Sequence, residues 1–471
     1  MTNARLPALL ALVVALALGG AAAGSSATGR AEVDSQLAMA LASAADVEAV
    51  VTFAHEGAPT TADVAALRDA GITQGFTFRA LPMAGVVATA EQVDALAERP
   101  EVLSLYLNDE LRYELDDSTA LIGVDRLRAD AKLTRRNGGT PVDGTGATVL
   151  VNDTGIDGTH QDHLFPGHVV QNVEAAANPR AWSDLLPVFY VEDVPNTDAT
   201  GGHGTHVAGI VGATGARSDG KYEGVAPGAD LIGYGSGAGL ALLDVLGGFD
   251  YAIANRQRYG IDVVTNSWGD TGDRCTDVNP EDPVTLATYL TYKAGMVVVF
   301  SAGNSGPNEC TITGNYKKAP WVIAVAAGDK QRNLADFSSR GTAGGGGTLT
   351  IDSRTWTWED RPTVTAPGVL IVSTRTASPI GVIGTADDLV EIEDPAHLPF
   401  YTTLSGTSMA APHVAGTVAL MLDANPALTP LQVKDVVQRS ATSLPYATWQ
   451  AGAGHLDAYG AVSRAFATKG K

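Results

Sequence analysis

Four short stretches hold side chains that together can carry out nucleophilic acyl transfer. Asp153 closes the apolar run in VLVNDTGIDGTH, His203 opens GGHGTHVAGIVGA, Asn304 lies in VVVFSAGNSG, and Ser408 lies in SGTSMAAPHVAGTVALML. A serine hydroxyl is a poor nucleophile until a base takes its proton. Histidine does this near neutral pH, and a buried aspartate fixes the imidazole tautomer and stabilises the imidazolium. An amide side chain and an N–H at a helix start can then receive the oxyanion. Each residue alone also has a plain structural reading. Asp favours turns at strand ends, Ser caps helices, His203 can mark a helix entry, and Asn304 beside Gly303 can be a turn amide. All four coincidences must hold for the chemistry to be absent. His206, with His160 and His163, raises a metal reading as well. No H-E-x-x-H is present and no cysteine lies near these histidines, so packing or hydrogen bonding is the plainer alternative.

These side chains need strands that end and helices that begin at one place. From about residue 118, short apolar runs alternate with helical stretches: ATVLVND, ADLIGYG, IDVVTNS, AGMVVVFSAGN and WVIAVAAG. Such runs mark strands buried on both faces. The alternation predicts an α/β domain with a mostly parallel sheet, and a site in the loops at the carboxyl ends of its strands. Residues 46–113 read differently, as βαββαβ, a ferredoxin-like α+β plan that hosts many functions. That neighbourhood is also acidic: residues 31–117 carry 16 acidic and 4 basic side chains in a chain of net charge −21. The charge argues against a nucleic-acid binder, which would present a basic face. At the amino terminus Arg5 precedes the run LPALLALVVALAL and then GGAAAGSSA. This is the pattern of a signal peptide, and the run is short for a bilayer span. The sequence predicts export, no stable membrane span, and a setting that permits disulfides.

At the four motifs the sequence resembles the subtilisin-like serine proteases (subtilases, peptidase S8). D-T-G-I-D, H-G-T-H-V-A-G, S-A-G-N-S-G and G-T-S-M-A-A-P-H-V-A-G occur together and in the family's order. The chain order Asp, His, Ser is that of subtilisin. The resemblance implies a three-layer subtilisin-like catalytic domain over 118–471, with Asp153, His203 and Ser408 as triad and Asn304 as oxyanion donor. It implies that 1–27 are a signal peptide and that 31–117 are an I9-like inhibitory prosegment. Cleavage is then expected between Arg112 and Ser118, with Tyr113, Leu115 and Asp116 as candidate P1 residues. The partners implied are protein or peptide substrates, bound as extended strands. Ser267, Trp268 and Gly269 would form one groove wall, Ala302 and Gly303 part of the S1 wall, and the 235–239 stretch the opposite strand.

The resemblance implies no cofactor for catalysis and allows a structural calcium at Asp162, which would need six to eight oxygens. It also places the loops carrying Cys275 and Cys310 at one sheet end, which suggests a disulfide; two free thiols are the alternative. Trp268 stands where Leu is commoner in the family. Asp270 and Asp273 would favour basic substrates if they face the groove, and are otherwise surface acids. The stretches 341–362 and 378–401 look inserted, and their Trp356, Trp358 and Tyr401 either shape the groove or cover a surface strand. Two functional alternatives stay open: a catalytically silent homologue that binds peptides, and a processing protease dedicated to one partner.

Overall fold

The computed structural model describes residues 30–55, 57–79, 81–107, 118–174, 188–236, 241–377 and 386–469. The expected leader (1–27), the cleavage stretch ahead of Ser118, residues 237–239 of the opposite groove strand and part of the second inserted stretch lie outside them. The chain divides into two compact units, residues 1–112 and 113–471.

The first unit holds β1 (Glu32–Val33), β2 (Val47–Phe53), β3 (Gly75–Thr77), β4 (Met83–Ala88) and β5 (Val102–Leu107), in sheet order β1-β5-β2-β4-β3. Helices Thr61–Asp69 and Ala90–Ala97 complete the expected βαββαβ pattern. Each begins with a reciprocal capping box, Thr60 with Asp63 and Thr89 with Gln92, which satisfies backbone N–H groups that the first turn leaves orphaned. The β1 strand and the helix Ser35–Leu41 extend this plan beyond the sequence expectation. A two-residue strand shows no alternation to read. Leu37 from the added helix is buried with Val51, Phe53, Leu96 and Leu105.

The second unit is built on a seven-stranded sheet, parallel throughout. Its strands are β6 (Thr148–Asp153), β7 (Val169–Glu174), β8 (Asp230–Gly235), β9 (Ile261–Asn266), β10 (Val297–Ser301), β11 (Val322–Gly328) and, beyond two hairpin strands, β14 (Val364–Pro367). The order is β14-β11-β10-β9-β6-β8-β7. Every residue of β6, β10 and β11 is buried, as the continuous apolar runs require. Alternate side chains serve opposite layers. Val149, Val151 and Val299 pack with Val207, Val414 and Val437 of the helices His203–Gly212, Thr407–Ala424 and Pro430–Ser440. Leu150, Val298 and Phe300 pack with Phe249 and Tyr289 of the helices Leu242–Tyr259 and Pro283–Lys293.

The inserted stretch 341–362 forms the hairpin of β12 (Gly346–Ile351) and β13 (Arg354–Glu359). Trp356 and Trp358 are buried there, Trp356 edge-on to Trp321 at 5.4 Å, so they cover the second layer. Tyr401 is fully buried on β16 (Tyr401–Leu404), which pairs with β15 (Ile371–Thr374), and its ring lies 4.6 Å from that of Tyr222.

Register aligns the sheet's carboxyl edge. Val151 pairs with Thr265, and Thr265 with Val299. Two residues further, the strands deliver Asp153, Ser267 and Ser301 at one level.

Candidate active site

Asp153 ends β6 with its side chain buried, and its Oδ1 accepts a hydrogen bond from His203 Nδ1 at 2.7 Å. His203 begins its helix one residue after Gly202, which sits in the left-handed region at φ 79°. A β-carbon at position 204 would lie 2.2 Å from the Gly155 carbonyl oxygen. Glycine after the histidine is therefore what lets this helix start seat directly on the turn that follows Asp153. Burial pushes the His203 pKa down, but the Asp153 carboxylate beside it, with a smaller push from Asp198, raises it above the ordinary value. The contact thus favours an imidazolium, as a base that must hold a proton requires.

Asp198 is a buried residue that the sequence motifs do not flag. Its carboxylate accepts from the backbone N–H of Gly202 at 2.7 Å and of Thr205 at 2.8 Å, and from the Thr205 hydroxyl at 2.6 Å. It thereby pins the first turn of the histidine helix.

Ser408 lies in the first turn of Thr407–Ala424, a helix buried on nearly all sides. Its hydroxyl donates to the Ser267 carbonyl oxygen at 3.0 Å, while the Ser267 hydroxyl donates to the Ser408 carbonyl oxygen at 2.9 Å. Ser408 is thus latched to the end of β9, level with Asp153. Among the described residues its hydroxyl makes no hydrogen bond to His203. The pair lacks that contact in this rotamer, and such contacts often tighten only when substrate binds.

Asn304 follows β10. Its Oδ1 accepts from the Thr407 backbone N–H at 2.9 Å and from the Thr407 hydroxyl at 2.8 Å. Those two donors fix the amide's orientation, since only the oxygen can accept, and leave the NH2 group facing away. A β-carbon at Gly406 would lie 3.3 Å from Asn304 Nδ2 and 3.6 Å from the Ser408 backbone nitrogen. Both candidate oxyanion donors therefore face the same small space, open because residue 406 has no side chain.

Of the expected groove residues, Ser267 holds Ser408 as described. Trp268 turns its indole inward: Nε1 donates to the Asn152 carbonyl oxygen at 2.9 Å, and the ring stands edge-on to Phe300 at 4.9 Å. Gly269 is exposed. Ala302 is buried and hydrogen-bonds Val325 and Thr313 through its backbone. Gly303 has φ 114°, which side chains rarely adopt, and donates its N–H to the Thr407 hydroxyl at 3.1 Å. Asp273 accepts from the Asn315 backbone N–H and side-chain amide at 2.7 and 2.9 Å, and Asp270 from the Gly272 N–H at 2.8 Å, so both hold local turns. Cys275 and Cys310 form a disulfide with Cα atoms 4.9 Å apart, inside the usual range.

Asp162, the expected calcium ligand, is buried and hydrogen-bonded within the protein. Its Oδ1 accepts from the Arg217 backbone N–H at 2.8 Å and its Oδ2 from the Tyr401 hydroxyl at 2.7 Å. Each carboxylate oxygen is thus tied to one donor of the protein itself. No group of three metal-ligating side chains occurs among the described residues. The histidines have hydrogen-bond partners instead. His206 Nε2 lies 3.0 Å from the Ile371 carbonyl oxygen, His160 Nε2 lies 3.0 Å from that of Phe400, and His163 Nε2 lies 2.9 Å from the Thr374 hydroxyl. Burial pushes the His206 pKa down to about 3, so it stays neutral.

The subtilase family model matches residues 144–461, more than half of the chain. Serine protease AprX of Bacillus subtilis (strain 168) is 34% identical over 358 residues, covering 73% of this chain and 70% of the relative. An alkaline protease of Alkalihalobacillus alcalophilus is 29% identical over 371 residues, covering 78% and 76%. Among solved structures, the S41 psychrophilic protease superposes with a TM-score of 0.51 at 25% identity, covering 71% of this chain and 96% of its own. With the strand-edge site, the buried helix that carries Ser408 and these likenesses together, the chain belongs to the subtilase family of serine proteases.

Proposed function

We propose that this protein is an exported serine endopeptidase, made as a self-processing precursor, that cleaves through Ser408, His203 and Asp153. The observation that carries the reading is the convergence at one sheet edge of the 2.7 Å Asp153–His203 contact, the latched Ser408 and two N–H donors around Gly406. In the reaction, the Ser408 hydroxyl leaves the Ser267 carbonyl and turns its proton to His203 Nε2. Its oxygen attacks the scissile carbonyl carbon. The oxyanion that forms is held by Asn304 Nδ2 and the Ser408 N–H. His203 then passes its proton to the leaving amine, and water, activated by the same imidazole, hydrolyses the acyl-enzyme. No cofactor takes part in these steps.

His203 must be neutral to act as base, and Asp153 holds its pKa above the ordinary 6.5. Activity is therefore lost as pH falls through that raised value. The purified mature form is expected to hydrolyse denatured casein, with the acid limb of kcat/KM centred above about 6.5. Absence of hydrolysis at every pH between about 6 and 10 would return the chain to the reading of a silent peptide-binding homologue.

The leader pattern at 1–27 supports export, and no helix among the described residues is long and apolar enough to cross a membrane. The separate ferredoxin-like unit supports the prosegment reading. A parallel sheet dominated by non-local contacts folds slowly, and a partner that stabilises its nucleus speeds it. Residues 31–117, expressed alone and added to mature enzyme, are expected to inhibit it at micromolar concentration. The secreted form should begin between residues 113 and 118. No inhibition, together with an amino terminus still near residue 30, would sink the zymogen reading.

A further inference from the structure

Lys317 is 1% exposed, in a short 3₁₀ turn (Asn315–Lys318) after β10. Its ammonium donates to the Thr313 hydroxyl at 3.1 Å and lies 5.8 Å from the centre of the Phe300 ring. It has no carboxylate within ion-pair distance among the described residues. An ammonium has three protons to donate, and burying it without a counter-charge costs several kcal/mol. Burial pushes its pKa down to about 7, opposed only by the more distant Asp273. That carboxylate is already committed to Asn315 and Thr276.

The position of this charge matters more than its burial. A β-carbon at Gly269 would lie 2.3 Å from Lys317 Nζ and 2.6 Å from the Thr313 hydroxyl oxygen. A β-carbon at Gly303 would lie 2.5 Å from the same Thr313 hydroxyl. The Thr313 hydroxyl therefore sits beside both Gly269 and Gly303, and the ammonium beside Gly269, so the pair lies against the segment read above as one groove wall and the segment read as part of the S1 wall. We propose that Lys317, with Thr313, is a specificity-determining pair that receives a carboxylate side chain at substrate P1, so that the enzyme cuts after acidic residues. The proposal rests on the endopeptidase reading and on those two walls. A P1 glutamate would supply the missing counter-charge and take up the ammonium's free protons. The stretch that must be cut for maturation fits this: Glu114, Asp116 and Asp117 stand immediately before Ser118. Asp116, which a hydrophobic S1 pocket would refuse, becomes a natural P1 residue.

The test is a set of internally quenched peptides identical except at P1, carrying Glu, Gln, Leu or Lys, cleaved by the wild-type mature enzyme and by Lys317→Met. Glu and Gln are nearly isosteric, so their ratio reads charge. The wild type is expected to favour Glu over Gln by roughly ten- to hundredfold in kcat/KM, the range of a charge-assisted hydrogen bond. Lys317→Met is expected to bring the ratio to about one or below. The wild-type ratio decides the matter even if the variant does not fold. Ser408-dependent cleavage with Gln equal to or better than Glu overturns the assignment of Lys317 and leaves the endopeptidase reading standing. A wild-type Glu preference that survives intact in folded Lys317→Met also overturns it. Failure to cleave any of the four peptides or casein overturns the endopeptidase reading itself, and this assignment with it.

Discussion

Ser408→Ala is expected to lower kcat for protein hydrolysis by roughly 10⁶, the scale seen when the same nucleophile is removed from subtilisin. The fold should survive. The lost hydroxyl gives up one hydrogen bond, to the Ser267 carbonyl at 3.0 Å, worth about 1 kcal/mol. The Ser267 hydroxyl keeps its own bond to the Ser408 backbone carbonyl, so the helix start stays latched to β9. Casein hydrolysis and a thermal melt on the same preparation check both halves. Near wild-type cleavage by a contaminant-free variant would remove Ser408 from the mechanism. Lost activity with a collapsed melt would show a structural role for the hydroxyl rather than a chemical one.

Gly406→Ala tests the oxyanion site without touching either donor. The backbone there has φ 164°, extended and open to any residue. The nearest heavy atom to a new β-carbon is Asn304 Nδ2 at 3.3 Å, so the methyl group fits without a severe clash. It would stand in the space the oxyanion must occupy. The expected result is a drop in kcat of roughly 10²–10³, the scale known for loss of the corresponding amide in subtilisin, with KM little changed. Asn304→Ala should show a similar factor. The double variant should fall well short of the product, because both changes disable one binding site. Multiplied losses would mean that Gly406 and Asn304 act in different places.

The candidate site was legible in the sequence wherever it depends on strand ends and helix starts. Continuous apolar runs such as VLVND mark buried parallel strands, and their terminal polar residues fall at the carboxyl edge by geometry alone. The ferredoxin-like plan was legible for the same reason, through Val47–Phe53, Met83–Ala88 and the two capped helices between the strands. What stayed hidden depends on approach between distant segments. Asp198 reaches the histidine helix from a loop without periodicity. The role of Gly406 shows only when Asn304 and Ser408 are placed around it. The hydrogen bonds that Asp162 accepts from the Arg217 backbone and the Tyr401 hydroxyl stayed hidden too, since Tyr401 arrives from 239 residues further on. Lys317 carries no signal in the sequence, since lysine is rarely buried; only the packing of Thr313, Phe300 and Gly269 around it sets it apart.

The register that sets Asp153, Ser267 and Ser301 at one level has a consequence for the order of synthesis. On the proposed mechanism the carboxylate comes from the end of β6 and the base from the helix that follows β7. The groove wall and oxyanion amide come from β9 and β10. The proposed nucleophile comes last, on the helix Thr407–Ala424, which packs against one face of β9, β10 and β11. A chain still being synthesised therefore holds Asp153 and His203 long before it holds Ser408. Even a chain released early, anywhere short of Ser408, has nothing to attack with. Proteolytic power thus appears in one step, when the closing helix docks. On the proposed mechanism the unfinished chain cannot cut its host or itself before that moment.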